Sequence, residues 1–213
     1  LTFTTRGRAL PRLAMLCAVL LLAGCGAALQ STKDATPQEA AAAAYVHDGP
    51  PAITLYTMIS NRTGAGAHTS MMINASQRVI FDPAGSVELS IMPEIGDVLY
   101  GITPQIEGWY ERAHARETYH VRIQRKEVPP EVAEQALRLV QANGTVPSAA
   151  CTTATSAILA QLPGFEGVRR TLFPNNLAKQ FGRLDGVTER VLRENDSDDK
   201  GLAEAEFEAQ VDG

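Results

Sequence analysis

From residue 53 the chain falls into short alternating stretches. Residues 53–59, ITLYTMI, alternate apolar and mixed side chains with the two-residue period of a strand. The turn-rich residues 61–66 lead into HTSMMI at 68–73, a second strand. Asn74, Ala75 and Ser76 are turn chemistry, and RVIFD at 78–82 is a third strand stopped by Pro83 and Gly85, so that the second and third strands form a hairpin. Residues 87–92 and 97–102 are weaker apolar stretches, strand or loop. The period then changes. Residues 104–115 predict a helix with Pro104 near its start, Ile106 and Tyr110 four apart, and Trp109 on an adjoining face that suits the core. Residues 118–128 alternate again: Tyr119, Val121 and Ile123 share one face, and His120, Arg122 and Gln124 the more polar one. Pro129-Pro130 opens a helix carrying Val132, Ala136, Leu139 and Val140, which Asn143-Gly144 stops. A further helix begins at Cys151 and ends near Leu162-Pro163-Gly164, and a last helical piece spans 172–184, interrupted or begun by Pro174. Residues 52–192 thus predict an α+β domain, an antiparallel sheet packed against helices, with a cysteine at a helix N-terminus.

The ends of the chain lack this patterning. Arg6, Arg8 and Arg12 precede an apolar run at 13–22, which is too short for a bilayer span of about 20 residues. It closes on Leu22-Ala23-Gly24-Cys25. A basic region, a short apolar region and small residues mark a secretory leader, and the closing tetrad resembles a bacterial lipobox. That resemblance implies a signal peptide over 1–24 and a lipidated Cys25. With Gly26 rather than an acid after the cysteine, it also implies the periplasmic face of the outer membrane. Residues 25–51, rich in Ala, Gln, Thr and Ser, predict a flexible tether, with His47 solvated in it. Residues 193–213 turn acidic and predict a disordered tail. Within it, residues 196–201 resemble the start of a calcium-binding loop. Lys200 stands where an oxygen ligand is needed, however, and Phe207 takes the place of the closing glutamate. No metal and no cofactor is expected.

Charge and cysteine count narrow the function. A net charge of −5 without a dense basic patch argues against nucleic acid. Of the three cysteines, Cys17 belongs to the leader and Cys25 would carry lipid. Cys151 is then a lone thiol in an oxidising compartment, where an unpaired cysteine points to reactivity. At a helix start it meets the positive end of the helix dipole and free N–H groups, both of which favour thiolate. A small buried core residue is the alternative.

A thiol nucleophile needs a base, and the base an orienting group. His47 is linker, His114 suits a helix C-terminus as a cation, and His120 lies on a polar face. His68 opens an apolar strand after the flexible Gly64-Ala65-Gly66-Ala67. Whether Asp82 faces His68 is set by strand register. A three-residue turn at 74–76 places Asp82 directly across from His68, a two-residue turn at 75–76 points it away, and an Asp-Pro turn is its other role. Tyr56 could donate to an oxyanion, although packing suits it better. Thr152 and Thr153 cap and pack the helix.

The order of Ala67-His68-Thr69-Ser70, a return strand ending Phe81-Asp82-Pro83, further sheet, a helix, and then Ala150-Cys151-Thr152-Thr153 resembles circularly permuted papain-like domains of the NlpC/P60 superfamily, in which the histidine strand precedes the cysteine helix. The resemblance covers residues 53–184. It implies a thiol hydrolase or acyltransferase acting on amide or ester bonds of cell-wall peptides or lipids, with Cys151 as nucleophile, His68 as base and Asp82 as orienting residue. The expected partners are the membrane, through the lipid, and a peptidoglycan or lipid substrate; oligomeric state is left open. The competing function is a non-catalytic envelope lipoprotein that keeps the shape for binding or scaffolding.

Overall fold

The computed structural model describes residues 34–85 and 87–211. The leader, Cys17 and the expected lipidation site Cys25 lie outside the described residues. In chain order the elements are α1 (Pro37–Ala43), β1 (Ala52–Ser60), β2 (Gly66–Asn74), β3 (Arg78–Phe81), β4 (Glu94–Ile95), β5 (Val98–Leu99), α2 (Pro104–His114), β6 (Tyr119–Glu127), α3 (Pro130–Asn143), α4 (Cys151–Leu159), α5 (Pro174–Phe181), β7 (Thr188–Leu192) and α6 (Lys200–Val211). The described residues form one seven-stranded open sheet in the order β4-β5-β3-β2-β1-β6-β7. Every pairing in it is antiparallel.

Both faces of this sheet are covered, which is why β1 is buried along almost its whole length. Successive strand side chains point to opposite faces. Ile53, Leu55, Met71, Ile73 and Phe81 therefore pack under α3, α4 and α5, against Ala136, Leu137, Ile158, Leu159, Leu177 and Phe181. Tyr56, Met58, Met72, Ile80, Val121 and Ile123 form the other half of the core, with Ile106, Trp109 and Tyr110 of α2 and Phe207 of α6. The expected mixed architecture of antiparallel sheet and helices is present, and Cys151 is the first residue of its helix.

The two flanks differ from expectation. Residues 34–51, read as tether, lie on the domain. Thr36 and Glu39 form a reciprocal capping box at the start of α1 and Ala40 is buried. The Ala35 N–H donates to the Glu94 carbonyl at 2.7 Å and the Arg78 N–H to the Tyr45 carbonyl at 2.8 Å. Gly101 has φ +78°, and a Cβ there would come within 2.9 Å of the Ala43 carbonyl oxygen. The acidic residues after 193 are no loose tail either. Phe207 is 4% exposed, its ring lies 5.4 Å from that of Trp109, and the Trp109 indole N–H donates to the Ala203 carbonyl. One buried apolar side chain in an acidic helix gives no visible period, yet it suffices to dock the helix when an aromatic face awaits it.

Candidate active site

The β2–β3 hairpin sets the first half of the site. Asn74 pairs with Arg78 and Met71 with Phe81, so the turn is Ala75, Ser76 and Gln77. It has three residues, as one of the two expected registers required, but it lies one position later. Asp82 is therefore not directly across from His68. Extending the ladder sets Asp82 opposite Ser70 and leaves His68 diagonal to it on the same face, because parity is kept. The contact forms all the same: His68 Nε2 and Asp82 Oδ1 are 2.6 Å apart. Asp82 is 1% exposed and the His68 side chain 18%.

The short β3 makes room for the second half. It pairs with β2 only over Met71–Asn74, so residues 66–70 have a described strand partner, β1, on one side alone. The start of α4 meets β2 there. Thr152 Oγ1 donates to Thr69 Oγ1 at 3.1 Å, Cys151 Sγ lies 3.8 Å from Thr152 Oγ1, and the Thr69 backbone N–H bonds the sulfur. The thiol and the His68 imidazole lie near enough that each shifts the other's protonation, the thiol raising the imidazole's pKa and the imidazole lowering the thiol's. With Nε2 held by Asp82, the nitrogen left for sulfur is Nδ1. Cys151 and the two hairpin residues His68 and Asp82 thus form one connected set.

Its electrostatics follow from these contacts. For the Cys151 thiol, burial favours the neutral form. The neighbouring His68 and its charge, the Thr152 hydroxyl and the Thr69 N–H outweigh it and bring the pKa down to about 7. Burial also opposes charge on His68, but the bond to Asp82 and the neighbouring Cys151 raise it to about 9. Asp82 is likewise opposed by burial, and the His68 bond and charge bring it below the usual carboxylate range. Between pH 7 and 9 the set therefore favours thiolate, imidazolium and carboxylate.

Around the set, Tyr110 donates its hydroxyl to Ser70 Oγ at 2.7 Å, and the Asp82 N–H donates to the Asp97 carbonyl at 2.8 Å. Asp97 accepts the Val146 N–H at 2.7 Å, which ties the loop after β3 to the loop that delivers Cys151. Ala149, two residues before the cysteine, has φ +65°, a conformation costly for a residue with a Cβ. Ala150 provides no side-chain cap to α4, so no side chain caps the first-turn N–H groups there. His114 stacks on His68 at 6.3 Å and 17°. Burial lowers it to about 4 despite the Asp82 charge, so it is neutral at pH 7 rather than the helix-end cation its position suggested. Tyr56 is wholly buried with its hydroxyl toward Met72 Sδ, in a packing role. His120 bonds Asn61 near the surface.

His68 opens into a cavity of about 310 Å³ whose wall includes Met58, Ala67, His114, Asp198 and Lys200, and Cys151 is not part of that wall. Asp198 accepts from the Thr118 N–H and hydroxyl. Among the described residues, no three histidine, cysteine or carboxylate side chains are grouped to hold a metal ion.

Sequence reasoning missed Thr69, Ser70, Tyr110 and Asp97. Each is an ordinary strand, helix or turn residue, and its place in the set exists only through the sheet register. Compared with known proteins, the chain matches no protein-family model, no curated protein and no solved structure. The case for chemistry at this site rests on its own geometry.

Proposed function

We propose that this chain is a thiol hydrolase with a permuted papain-like fold of the NlpC/P60 kind, held at a bacterial envelope membrane through a lipid on Cys25 and cleaving amide or ester bonds of peptidoglycan peptides or lipids. No described helix is long and apolar enough to cross a membrane. The observation that carries the reading is His68 between the buried carboxylate of Asp82 and the thiol of Cys151.

In the proposed reaction the Cys151 proton passes to His68 Nδ1, and Asp82 on Nε2 holds the ring and favours its cationic form. The thiolate adds to the substrate carbonyl carbon. The resulting oxyanion is met by N–H groups at the uncapped start of α4, where helix polarity adds to the hydrogen bonds. Collapse breaks the bond to the amine or alcohol, which takes the proton from imidazolium and leaves a thioester on Cys151. His68 then removes a proton from water as it attacks, and the acid departs with the thiol restored. An alcohol or amine in place of that water makes the same site an acyltransferase.

The competing reading, a non-catalytic envelope lipoprotein, is favoured by one observation: Cys151 is only 7% exposed. Alkylation by iodoacetamide across pH separates the two. A working pair shows a rate that rises with a midpoint near 7. His68→Ala moves that midpoint up toward about 8.5, the value of an ordinary thiol. A thiol that reacts only when the protein unfolds, in wild type as in the variant, overturns the catalytic reading.

A further inference from the structure

Leu172 and Phe173 are 66% and 67% exposed. They follow two exposed cations, Arg169 and Arg170. The later part of the same segment does the opposite, since Leu177 and Phe181 are fully buried. The exposure of 172 and 173 is not slack in the loop. The Thr171 N–H donates to Ser156 Oγ at 3.1 Å, the Phe173 N–H to Thr171 Oγ1 at 3.2 Å, and Asn176 Nδ2 to the same hydroxyl at 3.2 Å. On the far side Asn175 Nδ2 donates to the Gly64 carbonyl at 2.8 Å. Gly66 lets α5 come this close, because a Cβ there would stand 2.7 Å from that of Pro174. The backbone is pinned from both sides while two large apolar side chains are held in water, at a cost that calls for an apolar partner.

We propose that residues 169–173 are a membrane-contact tip, with Leu172 and Phe173 seated in the acyl boundary of an anionic phospholipid bilayer and Arg169 and Arg170 at its phosphates. Charge selects this occupant. In a chain of net charge −5, the tip is locally basic, and the loop that Asn175 clasps adds the exposed Arg62. Glu166, the acid in the same loop, is turned back to the Gly164 N–H at 3.0 Å. Side chains two-thirds exposed on a loop do not line a groove for a small ligand, whereas an aliphatic and an aromatic group beside arginines suit the headgroup boundary. The tip is anchored to α4 through Ser156 and to the loop before β2 and its first residue through Gly64 and Gly66. The inference holds whether or not Cys151 and His68 are catalytic.

The test uses the full chain with Phe173→Trp and vesicles with brominated acyl chains. The native Trp109 is 4% exposed and packs on Phe207, so it supplies a constant background. On phosphatidylglycerol vesicles the new indole should shift to the blue and be quenched, with much weaker quenching on phosphatidylcholine. Arg169→Gln with Arg170→Gln in that background should weaken it about 25-fold, at about fivefold for each arginine near an anionic surface. Residues 13–22 contain no arginine, so dependence of the quenching on Arg169 and Arg170 separates the tip from the leader. An unquenched indole on phosphatidylglycerol, equal quenching on the two lipids, or no effect of the arginine pair would each overturn the proposal.

Discussion

His68 has two ring nitrogens and two partners that both favour its charged form. Asp82 on Nε2 rewards the cation, and the thiol near Nδ1 gains when the ring takes its proton. Replacing Asp82 with asparagine keeps the shape and removes the charge. Burial, which opposes a charged imidazole, would then be less compensated and the His68 pKa should fall. The thiolate loses part of its counter-charge in turn, so the alkylation midpoint of Cys151 in Asp82→Asn should rise from near 7. An unchanged midpoint would mean that Asp82 serves the Asp-Pro turn rather than the imidazole. His114 adds a neutral ring beside His68, and its low pKa spares the pair a second cation at pH 7.

At the scale of elements, a strand too short and a helix not foreseen make the site. β3 stops at Phe81, and the unpaired edge of β2 is where α4 brings its first residue. A longer β3 would occupy that edge and keep sulfur from the Thr69 N–H. α6 closes the other face, placing Lys200 and Asp198 on the wall of the His68 cavity. Phe207 is the hold. Phe207→Ala should destabilise the protein by about 3 kcal/mol through lost burial and the cavity left behind. It should also shift Trp109 emission to the red in the native baseline as water reaches the indole. Urea unfolding followed by both tryptophan emission and circular dichroism checks this, and a change under about 0.5 kcal/mol, the range of ordinary surface substitutions, would show that α6 adds little to the core.

For the molecule as a whole, the site couples to global stability through protonation. The folded-state pKa of His68, about 9, exceeds the unfolded value of about 6.5. Its ionic contribution is therefore complete below about 6.5 and is lost as pH rises through 9. The stability gap between wild type and His68→Ala should be widest at pH 6 and narrow toward pH 9.5, as read from denaturant midpoints at each pH. A gap that widens with pH would reverse the sign and rule out a charged His68 in the folded protein.

Much of this protein was determined along the chain itself. The periods of two and near four placed β1, β2, β3, α2, β6, α3 and α4 close to their observed bounds, because burial, on both faces of the central strands and on one face of the helices, leaves its mark on local sequence. The choice of Cys151 and His68 was legible too, since an unpaired thiol at a helix start and a histidine opening an apolar strand are each unusual for their surroundings. Tertiary structure decided the rest. β7 is almost wholly exposed, α6 buries only Phe207 and α1 is mostly alanine, so their docking depends on partners far away in sequence. The diagonal between His68 and Asp82 came from a turn displaced by one residue, a shift that local turn chemistry does not resolve. Thr69, Ser70 and Tyr110 joined the site only because sheet register and layer packing set them there, and register is a property of two strands rather than one.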